Sequence, residues 1–167
     1  FNKSIGDTIP PLDQSEETKK ELLEDQIKKF AEDSLILSLD GKKVFLYGNA
    51  NIEYKEIKIS ASYIEINWNN KIIYASFTTD SLNNKVGKPV FTENTESFEA
   101  DEITYNFKTR KCNIRNIKTK EGEGYILGKT VKKVDDDIFY INKGDYTTCD
   151  AEKPHFSIRA NKVKIIA

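Results

Sequence analysis

A short pattern of apolar positions around an alanine occurs three times along the chain. Its form is apolar-x-Ala-x-x-apolar-x-apolar, and the alanines are separated by 39 and then 60 residues. The copies are Ile59, Ala61, Ile64, Ile66; Phe98, Ala100, Ile103, Tyr105; and Ile158, Ala160, Val163, Ile165. Alternate side chains of a strand share a face, so the apolar positions change face after each alanine. A bulge or corner there would return both halves to one interior, so the pattern predicts strands that bend near Ala61, Ala100 and Ala160. Three chance matches in a β-rich chain are the alternative.

The rest of the chain from Leu35 onward also has the pattern of strands. Apolar and polar positions alternate along residues 43–54, and Asp40-Gly41 is typical of a hairpin turn. Residues 78–89 are polar and predict the longest plain loop. Because no helical periodicity interrupts residues 35–167, we predict an all-β class, a single antiparallel β-jellyroll.

Residues 1–30 differ from this pattern and are assigned to a leader, with the domain at 31–167. Residues 1–13 contain Gly6 and Pro10-Pro11 and predict little order. A short helix that starts at Asp13 or Ser15 and runs to about Lys29 is one interpretation. A solvated tail is the other.

Composition narrows the function classes. The chain has 167 residues, 32% of them charged, with a net charge of −1, which gives no basic footprint for nucleic acid. No apolar run is long enough for a membrane-spanning helix. The first residue is not Met and the last strand ends on apolar residues, so we expect a processed piece of a polypeptide that continues beyond Ala167.

Little in the sequence indicates catalysis or a cofactor. The chain has one histidine, His155, and lacks a nucleophile elbow or a phosphate loop, so an enzyme is not expected. The aspartates at 135–137 favour a solvated turn over a calcium loop. Cys112 and Cys149 are too few for a disulfide scaffold and lack zinc spacing. We expect no cofactor and no metal.

The most distinctive chemical feature is a set of aromatic residues at alternate strand positions, which places them on one face of the predicted sheet. They are typical of an ordinary sandwich core, but an open two-sheet fold would use the same face to line a groove for an apolar ligand. A carbohydrate-binding or adhesion β-jellyroll module, with exposed aromatics that stack on sugars, is the alternative function.

Particular segments add a family resemblance. Gly48-Asn49-Ala50-Asn51-Ile52, Gly122-Glu123-Gly124-Tyr125 and above all Gly144-Asp145-Tyr146-Thr147-Thr148-Cys149-Asp150 with Pro154-His155-Phe156 are similar to the OstA-like periplasmic domain of the outer-membrane LPS-assembly protein. This is the LptD family, which is related to the LptA/OstA bridge proteins. The similarity covers residues 31–167.

The resemblance implies a V-shaped β-jellyroll that takes part in lipopolysaccharide transport and outer-membrane biogenesis. Lipid A acyl chains would be shielded in its apolar groove and passed from a periplasmic bridge toward a C-terminal β-barrel with a plug lipoprotein. An OstA-like bridge protein would join it by edge-strand addition. The expected location is the periplasm of a Gram-negative bacterium, as part of an outer-membrane protein.

We predict twelve residues that line the lipid groove: Ile52, Ile59, Ile66, Trp68, Phe98, Ile103, Tyr105, Phe107, Ile114, Leu127, Tyr140 and Ile158. The resemblance further implies that Cys149 forms a disulfide with a cysteine of the barrel that would follow this domain. Cys112 has no counterpart in the family and is expected to be a small buried hydrophobe. Both thiols are expected to be free in this chain, with Cys149 the more accessible.

Overall fold

The computed structural model describes residues 27–93, 96–135, 138–151 and 153–166. Every helix or strand in these ranges is a β-strand, which confirms the all-β class. The described strands are β1 Lys28–Phe30, β2 Ser34–Leu37, β3 Lys43–Tyr54, β4 Ile57–Asn67, β5 Ile72–Ser76, β6 Thr78–Thr79, β7 Lys85–Val86, β8 Val90–Glu93, β9 Glu96–Glu99, β10 Glu102–Asn106, β11 Cys112–Glu121, β12 Gly124–Asp135, β13 Ile138–Thr147 and β14 Ile158–Ile166.

In the described part of the chain, twelve strands form one sheet in which neighbours are antiparallel. The order is β1-β3-β4-β5-β10-β11-β12-β13-β14, with β2 also beside β3. β8 and β9 pair with each other and connect β4 to β11. This wound antiparallel arrangement is the predicted β-jellyroll.

The structure confirms the predicted hairpin turn and corrects the predicted long loop. The Asp40-Gly41 turn between β2 and β3 is confirmed: Gly41 has a φ of 66°, and its N–H donates to the Ser38 carbonyl at 2.8 Å. The plain loop predicted for residues 78–89 is wrong in part. β6 and β7 pair there as a separate two-stranded hairpin, whose turn is closed by the carboxylate of Asp80.

The first repeat bends as its pattern predicts. In β4 the buried side chains change parity at Ala61, with Ile59 buried before it and Ile64 after it. Ala61 lies opposite Ala50 of β3, and the pairing of these two strands is interrupted next to it at Gly48-Asn49. The positive φ angles there, 70° and 39°, are those of a bulge.

The other two alanines also lie where the strands bend, on the same line across the sheet. At Ala100 the buried side chains change from one face of the chain to the other, which confirms the bend predicted for the second repeat. Ala100 is buried between β9 and β10, and the next buried apolar side chain is that of Ile103. Ala160 pairs with Gly144, directly beside the row of Lys143 and Asn161, which the pairing skips. We call this line the corner; it comprises Gly48, Asn49, Ala61, Ser62, Ala100, Asp101, Asn116, Lys129, Lys143 and Asn161.

The corner divides the sheet into two layers that face each other. Layer 1 contains β2, β5 and β10, layer 2 contains β1, β8 and β9, and the long strands β3, β4 and β11–β14 run through both. Phe91 of layer 2 contacts Tyr105 of layer 1, with ring centroids 5.8 Å apart. The core lies between the layers, and the side opposite the corner, where strand ends and turns of both layers meet, is called the rim.

The described sheet has an edge at each end. At one edge β1 and β2 pair only with β3, and at the other β14 pairs only with β13. Both edges therefore present backbone groups to which a further strand could be added.

The start of the sheet corrects one prediction. Lys28 and Lys29 lie in β1, paired with β3, so the helix predicted to reach about Lys29 is wrong at its C-terminal end. Ile27 is part of the core. The remainder of that predicted helix lies outside the described residues, and the division into a leader and a domain stays a prediction.

Candidate functional site

One row of inward-facing side chains crosses layer 1 and is apolar throughout. Paired residues of neighbouring strands point to the same side of a sheet, so the register defines the row. Its members are Leu35, Leu46, Ile64, Ala75, Ile103, Ile114, Val131, Ile141 and Val163. The inner surface is therefore continuously apolar from the β2 edge to the β14 edge.

A second inner row of layer 1 runs beside it, nearer the rim. It contains one charged residue, Lys133, among apolar and aromatic neighbours. Its described members are Leu37, Val44, Ile66, Ile73, Tyr105, Cys112, Lys133 and Phe139.

Seven of the twelve predicted lining residues are fully buried between the layers: Ile52, Ile59, Ile66, Ile103, Tyr105, Phe107 and Ile114. Trp68 and Phe98 are partly buried and pack against this core. Phe98 stacks on Phe91 with ring centroids 5.0 Å apart. This region, formed by β3, β4, β5 and β8–β11, is called the closed part.

Aromatic contacts close the rim of the closed part. Phe107 follows β10 in layer 1 and meets Tyr54, the last residue of β3 in layer 2, at a centroid distance of 6.1 Å. Trp68 also contacts Phe107, with ring centroids 5.9 Å apart. Both contacts have the edge-to-face geometry that aromatic pairs prefer, and the contact of Tyr54 with Phe107 joins the two layers at this part of the rim.

Farther along the rim the layers are joined by charge. Glu93, at the end of β8 in layer 2, pairs with the Lys133 ammonium of layer 1 and with Arg110, whose guanidinium nitrogen lies 3.6 Å from the carboxylate. The Lys133 side chain is 6% exposed, and its ammonium lies 5.6 Å from the Phe139 ring centroid. Burial, and then the charge of Glu93, raise the pKa of the adjacent Tyr105 to about 12. Glu93, Arg110 and Lys133 are called the rim cluster.

Beyond the rim cluster the inner face becomes exposed. Phe139 is half-buried, Tyr146 is 41% exposed and Ile158 is 74% exposed, although all three lie on inner rows. No described strand pairs with the outer side of β14. Strands β12–β14 therefore form an open end, at which apolar surface faces solvent.

Two predicted lining residues lie on the other face of the sheet. Leu127 pairs with Lys118 and with Asp145, and Tyr140 pairs with Lys132 and Lys164. Their neighbours in sequence, such as Ile126 and Ile141, point inward instead. The structure therefore brings ten of the twelve residues to the inner face.

Sequence reasoning missed several inner residues of the open end and the β2 edge: Leu35, Leu37, Phe139, Tyr146 and Val163. The signal was present for Val163, which belongs to the third repeat. For Phe139 and Tyr146 the sequence carried no signal, because the face changes between them at Lys143, a corner residue with a φ of 54° that no alanine repeat marks. The rim cluster had no signal, because Glu93 and Lys133 are 40 residues apart in a highly charged chain.

A charged groove of about 640 Å³ lies at the outside of the corner. Its lining includes six basic and three acidic side chains. Lys85 pairs with Asp101 at 2.6 Å, and Arg159 pairs with Asp145 at 2.8 Å. Leu127 lies here, in a polar setting that differs from the inner face.

The two cysteines are free thiols in opposite environments, as predicted. Cys112 is buried in the second inner row, and burial raises its pKa to about 12. The sulfur of Cys149 lies 3.5 Å from Nδ1 of His155. Hydrogen bonds from the backbone and side chain of His155, and from the backbone of Ala151, lower the pKa of Cys149. Of the two cysteines, Cys149 is therefore the one whose thiolate forms more readily and can react.

None of the described residues forms a helix long and apolar enough to cross a membrane. Within the same ranges, no group of three or more His, Cys, Asp or Glu side chains is placed to hold a metal ion.

Together these features define a class: an antiparallel β-jellyroll with an apolar inner face that is closed at one end and open at the other. Among solved structures, the fold is similar to that of LptH from Pseudomonas aeruginosa, described as the LptA-homologous periplasmic component of the lipopolysaccharide transport device. The match covers 86% of this chain and 96% of that chain, with a TM-score of 0.57 and 12% sequence identity. At this identity the likeness shows the fold. No family model matches the sequence. No curated protein matches it either.

Proposed function

We propose that this chain is a non-enzymatic carrier in the periplasm that shields the acyl chains of lipopolysaccharide during transport to the outer membrane. The observation that supports this most is the continuous apolar inner face, which reaches solvent at Tyr146 and Ile158. The fold shared with a periplasmic lipopolysaccharide-transport component supports the same function.

The physical need for such a surface is large. Each CH₂ group moved from water to an apolar surface gains about 0.8 kcal/mol. A lipid with several acyl chains therefore does not cross an aqueous compartment unshielded. An inner face that is apolar across every strand of layer 1 provides a continuous path.

The lipid would first contact the open end. Ile158 and Tyr146 are already exposed there, and Phe139 and Val163 beside them are half-buried; we add Phe139, Tyr146 and Val163 to the proposed set. The buried members of the predicted set would contact acyl chains only when the layers move apart, since their side chains fill the space between them. Leu127 and Tyr140 lie on the other face of the sheet and are therefore not part of the proposed set.

We further propose that partner domains extend the sheet at its two edges. Next to the β2 edge, Leu35 and Leu37 are inner residues with 45% and 61% exposure, and Ile36 is 50% exposed. At the other edge Ile158 is exposed on the inner face of β14. Strand addition at either edge by an OstA-like bridge protein would cover these side chains and continue the apolar path.

The proposal includes a destination at the outer membrane. A C-terminal β-barrel with its plug lipoprotein would receive the lipid, and Cys149 would form the disulfide to that barrel. The lowered pKa of Cys149 supports this role, because the thiolate is the form that attacks a disulfide. The Cys149 thiolate would attack the disulfide of an oxidising thiol–disulfide exchange protein and release one of its thiolates. The barrel cysteine would then displace the second thiolate from the mixed disulfide, so that the exchange protein takes up the two electrons.

Site-specific photocrosslinking tests the proposal. A benzophenone amino acid at Phe139, Tyr146 or Ile158 should capture lipopolysaccharide. The same probe at Tyr140, Leu127, Glu53 or Glu65 on the outer face, or at Lys108 in the turn after β10, serves as the comparison and should capture little. Equal labelling of the two sets would contradict the proposal. Capture of delipidated polysaccharide in preference to lipid A would instead support the carbohydrate-binding alternative.

A further inference from the structure

The charged groove outside the corner, called the outer groove, is lined by two lysines that have no partner among the described residues. Lys129 of β12 and Lys143 of β13 form no ion pair and no hydrogen bond within that part of the chain. They face each other at a place that the pairing of the two strands skips. Directly opposed residues of antiparallel strands have Cβ atoms about 5 Å apart, and like charges in this position destabilise a sheet. The two ammonium groups therefore repel each other unless an anion lies between them.

The geometry of the corner does not require lysine at these positions. The corner residues of the flanking strands are Asn116 in β11 and Asn161 in β14. Asn116 has a φ of 51° and Lys143 has a φ of 54°, a backbone conformation that asparagine and glycine adopt more readily than lysine. An asparagine in place of Lys143 would suit the backbone and remove the repulsion. The two lysines thus indicate a role other than stability.

The three carboxylates of the outer groove do not neutralise these lysines, because each carboxylate is bound by another cation. The pairs are Lys88 with Glu99, Lys85 with Asp101 and Arg159 with Asp145, at 3.1, 2.6 and 2.8 Å. The sixth cation, Lys118, donates to the carbonyl oxygen of Asp150 at 2.7 Å and keeps its charge. The described lining therefore has an excess of three positive charges, although the whole chain has a net charge of −1.

The described outer rows on either side of the groove supply no further carboxylate for the two lysines. On the layer 1 side the register gives Glu102, Arg115, Thr130, Asn142 and Lys162. Glu102 in this row pairs with Arg115 at 3.1 Å. On the layer 2 side the register gives Lys120, Tyr125 and Thr147. The excess of positive charge is therefore not compensated by the neighbouring strands.

The rest of the lining favours an anion that also has hydroxyl groups. An oxyanion between Lys129 and Lys143 would accept charge-assisted hydrogen bonds from both ammonium groups, and one more from the amide of Asn161. The carboxylates of Asp145 and Glu99 accept hydrogen bonds from hydroxyl groups and repel a second acidic group. The volume of about 640 Å³ is in the range of small-molecule sites.

We propose that the outer groove binds a soluble sugar phosphate, with the phosphate between Lys129 and Lys143 and the hydroxyl groups against Asp145 and Asn161. The site lies on the face of the sheet opposite to the proposed lipid surface and is independent of it. For the same reason the ligand is a free sugar phosphate and not the headgroup of a lipid whose chains lie on the inner face. A crosslinker at Leu127 should therefore still capture little lipopolysaccharide.

Calorimetry with glucose 1-phosphate, glucose and inorganic phosphate tests the ligand class. The wild-type protein should bind glucose 1-phosphate about tenfold more tightly than either of the other two, because only the whole molecule uses both the lysines and the hydroxyl-binding groups. Lys129→Gln and Lys143→Asn should each weaken its binding about tenfold, the value of one charge-assisted hydrogen bond. Lys132→Gln changes an exposed outer-face lysine of β12 that lies outside the groove. This matched control should leave the affinity unchanged.

Two further measurements separate loss of binding from loss of folding. Lys143→Asn should unfold at a temperature no lower than that of the wild-type protein, because asparagine suits the φ of 54° and the repulsion is removed. In nuclear magnetic resonance spectra of the wild-type protein, glucose 1-phosphate should shift the side-chain amide signals of Asn161 and the backbone signals of Lys129 and Lys143. The signal of Ile64, on the inner face, should not move.

Three results would overturn the proposal. The first is absence of glucose 1-phosphate binding at millimolar concentration, or binding that neither lysine variant weakens. The second is inorganic phosphate that binds as tightly as glucose 1-phosphate, which would show that the sugar is not recognised. The third is tighter binding of an acidic peptide such as tetraglutamate, which would assign the groove to a protein partner. None of these results affects the lipid carrier, which the crosslinking on the inner face tests.

Discussion

The closed part and the open end bury the same kind of inner face to very different extents. Ile64, in the apolar row of layer 1, is 0% exposed, whereas Ile158, an inner residue of β14, is 74% exposed. Both side chains point to the inner face of long bent strands. The difference arises from the opposite layer: β8 and the 107–110 turn cover the closed part, and no described segment covers β14.

The comparison teaches that stability and binding are located in different strands. The closed part supplies the buried apolar area that holds the fold together. The open end leaves apolar area to be covered by a ligand or a partner strand. Substitutions in the two regions should therefore affect different measurements.

The largest expected difference is in stability after truncation of an inner isoleucine. Ile64→Ala should lower the free energy of unfolding by about 2–5 kcal/mol, because it leaves a cavity between packed layers. Ile158→Ala should change it by less than about 0.5 kcal/mol, because that side chain is largely exposed. Urea unfolding measures both. Equal losses would show that the open end is packed in solution.

The next effect concerns the corner. Gly87, which packs against the corner residue Ser62, has a φ of 62°, and a Cβ there would lie 2.7 Å from the Ser62 Cβ and 3.1 Å from its backbone nitrogen, so Gly87→Ala should destabilise by about 1–3 kcal/mol. Gly41 has a similar φ of 66° but nothing within 4 Å, so Gly41→Ala should cost about 1 kcal/mol. Thermal unfolding of the two variants separates crowding from backbone strain. Identical midpoints would argue against close packing at the corner.

A comparable or smaller effect is expected for the two ion pairs of the outer groove. Asp101 is buried and accepts hydrogen bonds from Lys85 at 2.6 Å and Asn116 at 2.8 Å. Asp101→Ala should cost about 1–3 kcal/mol, because it removes the partner of both groups. Asp145→Ala breaks a pair with a largely exposed Arg159 and should cost less than about 1 kcal/mol. A larger loss for Asp145→Ala in denaturant unfolding would reverse this ranking.

The cysteines offer a comparison that leaves the fold unchanged. At neutral pH iodoacetamide should label Cys149 in the native protein, and the rate should fall as the pH drops through its lowered pKa. Cys112 should react only after unfolding. Because its pKa is raised to about 12 from 9.0, its thiol favours the fold below about pH 9, and this contribution is lost as the pH rises toward 12. Mass spectrometry of the labelled peptides measures which cysteine reacts first. Labelling of Cys112 before Cys149 would contradict the prediction.

The sequence predicted the fold well where a repeat encoded it. Ala61 and Ala100 mark corners because a small residue and a change of apolar parity occur together, and both are visible in the chain. The bends of β12 and β13 occur at Lys129 and Lys143, which have no such signature. Leu127 and Tyr140 were therefore assigned to a face that they do not share with the other candidates.

The rim cluster could not be predicted for a different reason. Glu93 and Lys133 are ordinary members of a chain in which 32% of residues are charged. Only the meeting of β8 with the end of β12 across the rim distinguishes them from solvated residues. Helix prediction at Lys28 and Lys29 failed because pairing with β3 overrides a local pattern that favours a helix.

The corner has a mechanical consequence. On either side of it the strands are cross-linked in continuous ladders, whereas the cross-strand pairing of β11–β14 omits Asn116, Lys129, Lys143 and Asn161. The two layers are therefore more rigid than the corner that joins them. A change in the angle between the layers would be concentrated in the backbone torsions of these residues. The resistance of the domain to opening would then depend on a few corner residues that the strand pairing omits. Most of the work needed to separate the layers would be done at the rim, where side chains of both layers are in contact.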